Sequence, residues 1–172
     1  MAKNGKLSPE MMKANLGLDK DARDGICNIL RAALSDQEVL RTKTQSYHWN
    51  VTGPQFHSLH EIFESQYNEL GIVIDETAEF LRSYGVASIG TLAEFLQYAR
   101  LKEEPGVVPP ARGMVENLLS DHEAVIRSLR EDVEMTTEKY NDVASADYLT
   151  GLIEKHMKTA WMLRALIEGE SI

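Results

Sequence analysis

Residues 47–85 read YHWNVTGPQFHSLHEIFESQYNELGIVIDETAEFLRSYG, and this stretch decides the fold. Gly53-Pro54 marks a tight turn, because proline cannot continue a helix and glycine tolerates the bend. Beyond it, Phe56, Leu59, Phe63, Tyr67, Leu70, Ile74, Ala78 and Leu81 recur three or four residues apart. That period predicts one long helix from about Gln55 to Tyr84, with the apolar row turned to a core. Gly85 suits a left-handed cap at its end.

Working outward, the residues before the turn carry the same period. Asp19 or Asp21 is placed to cap a first helix running to about Val51, with Ile26, Leu30, Ala33, Leu34, Leu40 and Tyr47 on one face. Downstream, Thr91-Leu-Ala-Glu94 has the form of a capping box and opens a short helix to about Arg100. Pro105, Pro109 and Pro110 then forbid a continuous helix. A third long helix is expected over about Met114–Lys139, with Val115, Leu118, His122, Val125, Leu129 and Val133 inward. After a turn at 140–142, a fourth is expected over about Val143–Ile167, with Leu149, Leu152, Ile153, His156, Ala160, Leu163 and Ile167 inward. No strand pattern or internal repeat occurs. Short links make helices one and two, and three and four, antiparallel neighbours. The long middle link has to cross the bundle. The expected fold class is therefore all-α: a ferritin-like four-helix bundle with one long crossover carrying a short extra helix. It occupies residues 19–168, behind a flexible N-terminal arm over 1–18.

Composition narrows the function. The 172 residues suffice for one domain with a real core. No apolar run approaches the roughly 20 residues that span a bilayer. The opening MAKNGKLSPEMMK lacks the apolar segment of a secretory signal, and Cys27 is the single cysteine, so no intrachain disulfide can form. Both features favour a reducing cytoplasm. A formal net charge of −9 repels nucleic acid and membrane surfaces and attracts cations. The arm is the exception: Lys3, Lys6 and Lys13 outweigh Glu10. It reads either as a DNA-binding element or as a solubilising tail.

Four side chains of the second helix suggest a metal. His60 and Glu64 are four residues apart, and so are Asp75 and Glu79, so each pair shares a helix face. Imidazole with carboxylates suits iron or manganese, and zinc can use the same set. Glu64 and Asp75 lie roughly 16 Å apart along a helix rising 1.5 Å per residue. No single ion reaches both within one straight helix. Two copies packed antiparallel about a two-fold axis near Glu69-Leu70 bring His60 and Glu64 of one chain to Asp75 and Glu79 of the other, making two identical sites. Gly71 beside that axis would allow close approach. His48 is placed to add a second nitrogen. The competing reading is a plain helical interaction module whose acidic face is merely solvated. His57 reads as a surface residue able to pair with Glu61. His122 and His156 read as core histidines. An intrachain di-iron site of the ferritin type is not expected, because no Glu-x-x-His pair occurs.

The motif His48-Trp49-Asn50-Val51-x-Gly53-Pro54-x-Phe56-x-x-Leu59-His60, then Phe63-Glu64-x-x-Tyr67, then Asp75-Glu76-x-Ala78-Glu79, resembles the Dps family, the DNA-protection-during-starvation proteins or mini-ferritins. Thr159-Ala160-Trp161-Met162-Leu163-Arg164 is similar to the family's last helix. The resemblance implies a hollow homo-dodecamer built from two-fold dimers, with an iron-oxidising centre at each two-fold interface. It implies His48, His60 and Glu64 as ligands from one subunit, and Asp75 and Glu79 from its partner. It implies oxidation of Fe(II), with hydrogen peroxide preferred over oxygen, and storage of Fe(III) mineral. Zinc is the expected competitor for iron. Phe80 stands where many relatives have arginine, which removes an ion pair and leaves the ligands in place. Tyr47 and Trp49 read either as traps for stray oxidising equivalents or as aromatic packing. Glu138, Asp142 and Asp147 are candidates for a cation pore, with Asp142 otherwise a helix cap. Some relatives bind DNA through lysine-rich tails, so a nucleoid-compacting role for the arm stays as the alternative function.

Overall fold

The computed structural model describes residues 14–168. Of the expected arm, residues 1–13 lie outside the described residues. Five α-helices follow: α1 (Lys20–Asn50), α2 (Phe56–Ser83), α3 (Leu92–Tyr98), α4 (Ala111–Glu134) and α5 (Val143–Ile167). No strand occurs among the described residues. The first two helices form one antiparallel pair and the last two another, so the architecture is the expected bundle. The connection over 84–110 carries α3 across it.

Local chemistry sets the ends. Asp19 caps α1, its carboxylate accepting from the Ala22 N–H at 2.8 Å. Thr91 and Glu94 close the capping box of α3 in both directions. Gly53 and Gly85 take the positive φ angles of 108° and 75° that their turns require. The α4 helix starts at Ala111, earlier than expected, because Pro110 sits at its N-cap, where a missing N–H leaves nothing unpaired. It stops being α-helical at Glu134. A π-helical turn spans Met135–Lys139, where the sequence pattern predicts plain helix, and the Tyr140 N–H donates back to the Met135 carbonyl at 3.3 Å.

The buried row of α2 differs from the expected one. Leu59, Phe63, Gln66, Leu70, Val73, Thr77 and Leu81 are buried, whereas Phe56 is exposed and Tyr67, Ile74 and Ala78 are half-buried. The cause is two polar residues inside the stripe. Thr77 satisfies its hydroxyl on the Val73 carbonyl at 2.7 Å and on the Tyr148 hydroxyl at 2.8 Å. Reading the pattern by apolar residues alone rotates the inward face by about one position. The displaced residues flank the carboxylates on the open side of the helix.

A buried carboxylate anchors the crossover. Asp36 is 1% exposed. It accepts from the Arg100 and Leu101 backbone N–H groups at 2.6 and 3.0 Å and from Arg100 Nε at 2.7 Å. Arg100 Nη1 continues to Asp132 on α4 at 2.8 Å. Burying that charge is tolerable because every contact is charge-assisted; removing one partner of such a pair costs about 3–5 kcal/mol.

Gly25 on α1 lies under the Tyr140 ring, and a Cβ there would meet Tyr140 Cζ at 2.2 Å. Gly25→Ala is therefore expected to destabilise the chain by about 1–3 kcal/mol, the range for overpacking. Gly151→Ala on α5, where a Cβ meets nothing within 4 Å, is expected to gain about 0.5–1 kcal/mol from helix propensity. Thermal unfolding of the two variants beside the parent checks both signs.

Candidate metal centre

The turn at 51–55 folds the end of α1 onto the start of α2, and this brings His48 beside His60. Their rings stack with centroids 3.7 Å apart. Each Nδ1 donates to the backbone carbonyl of the other residue, at 2.8 Å from His48 and 2.9 Å from His60. A carbonyl only accepts, so each neutral ring carries its proton on Nδ1 and keeps a lone pair on Nε2. Fixing one ring nitrogen by a backbone bond is how proteins hold the other ready for a metal. Phe56 packs on His60 at 5.1 Å, and Tyr67 meets His48 edge-on at 5.3 Å. His48 is buried and His60 half-buried.

The carboxylates are arranged as the rod length demands. Glu64 is one turn beyond His60 and exposed; Asp75 and Glu79 are exposed farther along the same helix. The structure brings His48 and His60 together. It does not bring Asp75 or Glu79 to them within one chain. Among the described residues, no three His, Cys, Asp or Glu side chains converge on a point that would hold an ion.

Other expectations resolve individually. His57 and Glu61 pair at 3.4 Å on the surface. Tyr47 is buried against Phe63, its hydroxyl accepting from Asn117 Nδ2 at 3.1 Å, while Trp49 is 68% exposed. Asp142 sits at the N-cap of α5 without bonding its backbone. Its carboxylate instead takes hydrogen bonds from the Tyr84 hydroxyl at 2.5 Å and from Ser145. Burial and the neighbouring Asp142 push the Tyr84 phenol well above its usual range. Asp142 is thus a clasp between the end of α2 and the start of α5. Glu138 and Asp147 remain exposed. The ring contacts of Phe56 and Tyr67 were not legible beforehand; the seven-residue interval from His60 to Tyr67, two helical turns, was the available signal.

Comparison with known proteins places these residues in a wider set. The ferritin-like domain model matches residues 27–171. An uncharacterized low temperature-induced protein of Nostoc is 48% identical over 162 residues, covering 94% of this chain and 90% of its own. DNA protection during starvation protein 2 of Bacillus anthracis is 35% identical over 142 residues, 83% of this chain and 96% of its own. A solved Dps structure from Vibrio cholerae, a member of a broad superfamily of ferritin-like diiron-carboxylate proteins, superimposes with a TM-score of 0.82. Its identity is 26%, and the match covers 92% of this chain and 99% of that one.

Between α2 and α5 lies a cavity of about 670 Å³, lined among others by Ile62, Gln66, Leu70, His122 and His156. The two histidines are buried and share a hydrogen bond, Nδ1 to Nδ1 at 2.9 Å. Burial lowers both: His156 to about 4, and His122 well below its ordinary value. As pH falls, the unfolded chain takes up these protons first. The stability the neutral pair provides is therefore full above about pH 6.5 and is lost as pH drops toward 4. His156 alone is expected to account for about 2 kcal/mol between pH 7 and 5. Urea midpoints across that range should fall steeply for the parent and less for a His122→Met, His156→Met double variant.

Proposed function

We propose a function from one premise: this chain belongs to the Dps family of ferritin-like proteins. It oxidises Fe(II) to Fe(III) and stores the product as mineral inside a hollow dodecamer of identical subunits. By consuming iron and oxidant together it protects DNA and the cell. Hydrogen peroxide is the preferred oxidant and oxygen the slower one; zinc competes for the same ligands.

The observation that carries this reading is the reciprocal His48–His60 bonding. It leaves an Nε2 lone pair on each ring near the start of α2, where Glu64 follows His60 by four residues, with Asp75 and Glu79 farther along the same helix. His48, His60 and Glu64 of one subunit hold the substrate iron with Asp75 and Glu79 of the partner. Imidazoles bind Fe(II) adequately, and the carboxylates favour the harder Fe(III), so the ligand set draws the reaction forward. Two ferrous ions supply the two electrons that reduce one peroxide to two waters, with two protons taken up and no radical released. The acidic body supports protection by removal of reagents rather than by coating DNA, because counterion-release binding needs several basic contacts per particle.

A complementation test separates this site from any site within one chain. His60→Ala and Asp75→Ala subunits are each expected to lose iron oxidation when assembled alone. Co-expressed at equal amounts, they should regain activity in about one quarter of sites, since random pairing leaves that share with both halves intact. Stopped-flow absorbance after Fe(II) and peroxide reads it. Full activity in either single variant, or no recovery in the mixture, counts against the shared site.

A further inference from the structure

The bundle core holds another pair of histidines, and its geometry is the reverse of the first. His48 and His60 each commit Nδ1 to a backbone carbonyl. His122 on α4 and His156 on α5 commit it to each other, at 2.9 Å. Their ring centroids are 5.1 Å apart. The nitrogens are nearer than the centroids by one ring radius at each end, so the two Nδ1 atoms face each other head-on. Both side chains are almost wholly buried, at 2% and 3% exposure. Neither Nε2 has a hydrogen-bond partner in the protein, and nor has either amide atom of the buried Gln66, which lines the same cavity. Unpaired buried polar atoms destabilise a core, so their grouping around this cavity points to a ligand.

We propose that His122 and His156 form an intrachain site for a soft monovalent cation of filled d shell, copper(I), held in linear two-coordination between the two Nδ1 atoms. The site stands apart from the candidate iron centre and does not depend on the ferroxidase reading. Two nitrogens facing each other along a line match the coordination such an ion prefers. With metal–imidazole bonds of about 2.0 Å, the nitrogens must stand about 4 Å apart, so the rings part by about 1 Å. The cavity of about 670 Å³ that borders both gives them the space. A divalent ion fits poorly. Structural zinc takes four ligands and ferrous iron is harder, yet no third histidine, cysteine or carboxylate joins the pair among the described residues. Glu61 and Glu69 line the cavity but are exposed. One charge beside Ile62, Leu70 and Val73 also costs far less to bury than two, because the desolvation cost rises with the square of the charge. No proton has to leave. The ring that donates through Nδ1 carries its hydrogen on Nε2 instead, and both Nδ1 lone pairs then point at the ion.

The test titrates the assembled, anaerobic protein with copper(I) against bicinchoninate and records the copper K-edge absorption spectrum. One copper per chain is expected, with the sharp edge feature of two-coordinate copper(I) and two nitrogens as its only near neighbours. His122→Leu and His156→Leu should each lose that feature. His60→Ala, altered at the candidate iron centre, should keep it. Where a leucine variant fails to assemble, the parent and His60→Ala spectra decide. The site is overturned by a parent protein that retains no copper, or by copper with three or more neighbours. A linear signal that survives in assembled His122→Leu, or vanishes in assembled His60→Ala, overturns it equally.

Discussion

A straight α-helix cannot close around an ion with ligands placed at its two ends, and the rest of this structure follows from that constraint. The α2 helix is 28 residues long, unbroken by proline, and buried along one side by Leu59, Phe63, Leu70, Val73 and Leu81. Packing of that quality keeps it a rod. His60 and Asp75, fifteen residues apart, are then held about 22 Å from each other at 1.5 Å per residue. A flexible link between them would permit a site within one chain. The core forbids it, so any shared ion requires a second copy.

Two polar fixtures make the rod useful. At one end, the exchange of Nδ1–H to carbonyl bonds between His48 and His60 ties the last turn of α1 to the first turn of α2. The same bonds pin the two helices together and choose the tautomer of both rings. Across the bundle, Asp36 pulls Arg100 and the backbone after α3 against α1, and Asp132 completes the grip from α4. The long crossover is thereby held to the body on the α1 side. The candidate face of α2 is left uncovered within the chain.

The fold was legible because helical period and helix ends are local. Asp19, the Thr91–Glu94 box, Gly53 and Gly85 act on their own neighbours, so the sequence alone placed most boundaries within a residue or two. What was not legible depends on contacts distant in the chain. The π turn at Met135–Lys139 leaves no mark in the apolar period, and Tyr140 meets Gly25 from more than a hundred residues away. The inward row of α2 was displaced because Gln66 and Thr77 are polar yet buried. Of the candidate site, the residue types and their spacing could be read. The exchanged histidine bonds and the edge-on Tyr67 could not, because they exist only once the hairpin closes. Asp142 belongs with these: its charge suggested a pore or a helix cap, and the Tyr84 hydroxyl on its carboxylate, from 58 residues away, could not be read.

A site divided between two chains has a consequence beyond geometry. On the proposed reading, an unassembled subunit completes no site: it holds two imidazoles and one carboxylate at one end of α2, and two carboxylates at the other. Each half binds a ferrous ion weakly, because affinity for a hard or borderline cation rises with the number of preplaced donors. Oxidation is then coupled to assembly by thermodynamics, without any regulator. Ions bound across the interface stabilise the pair by mass action, since they bind the dimer and not its parts. On that reading a lone chain completes no centre, and the pair is the smallest unit that oxidises iron.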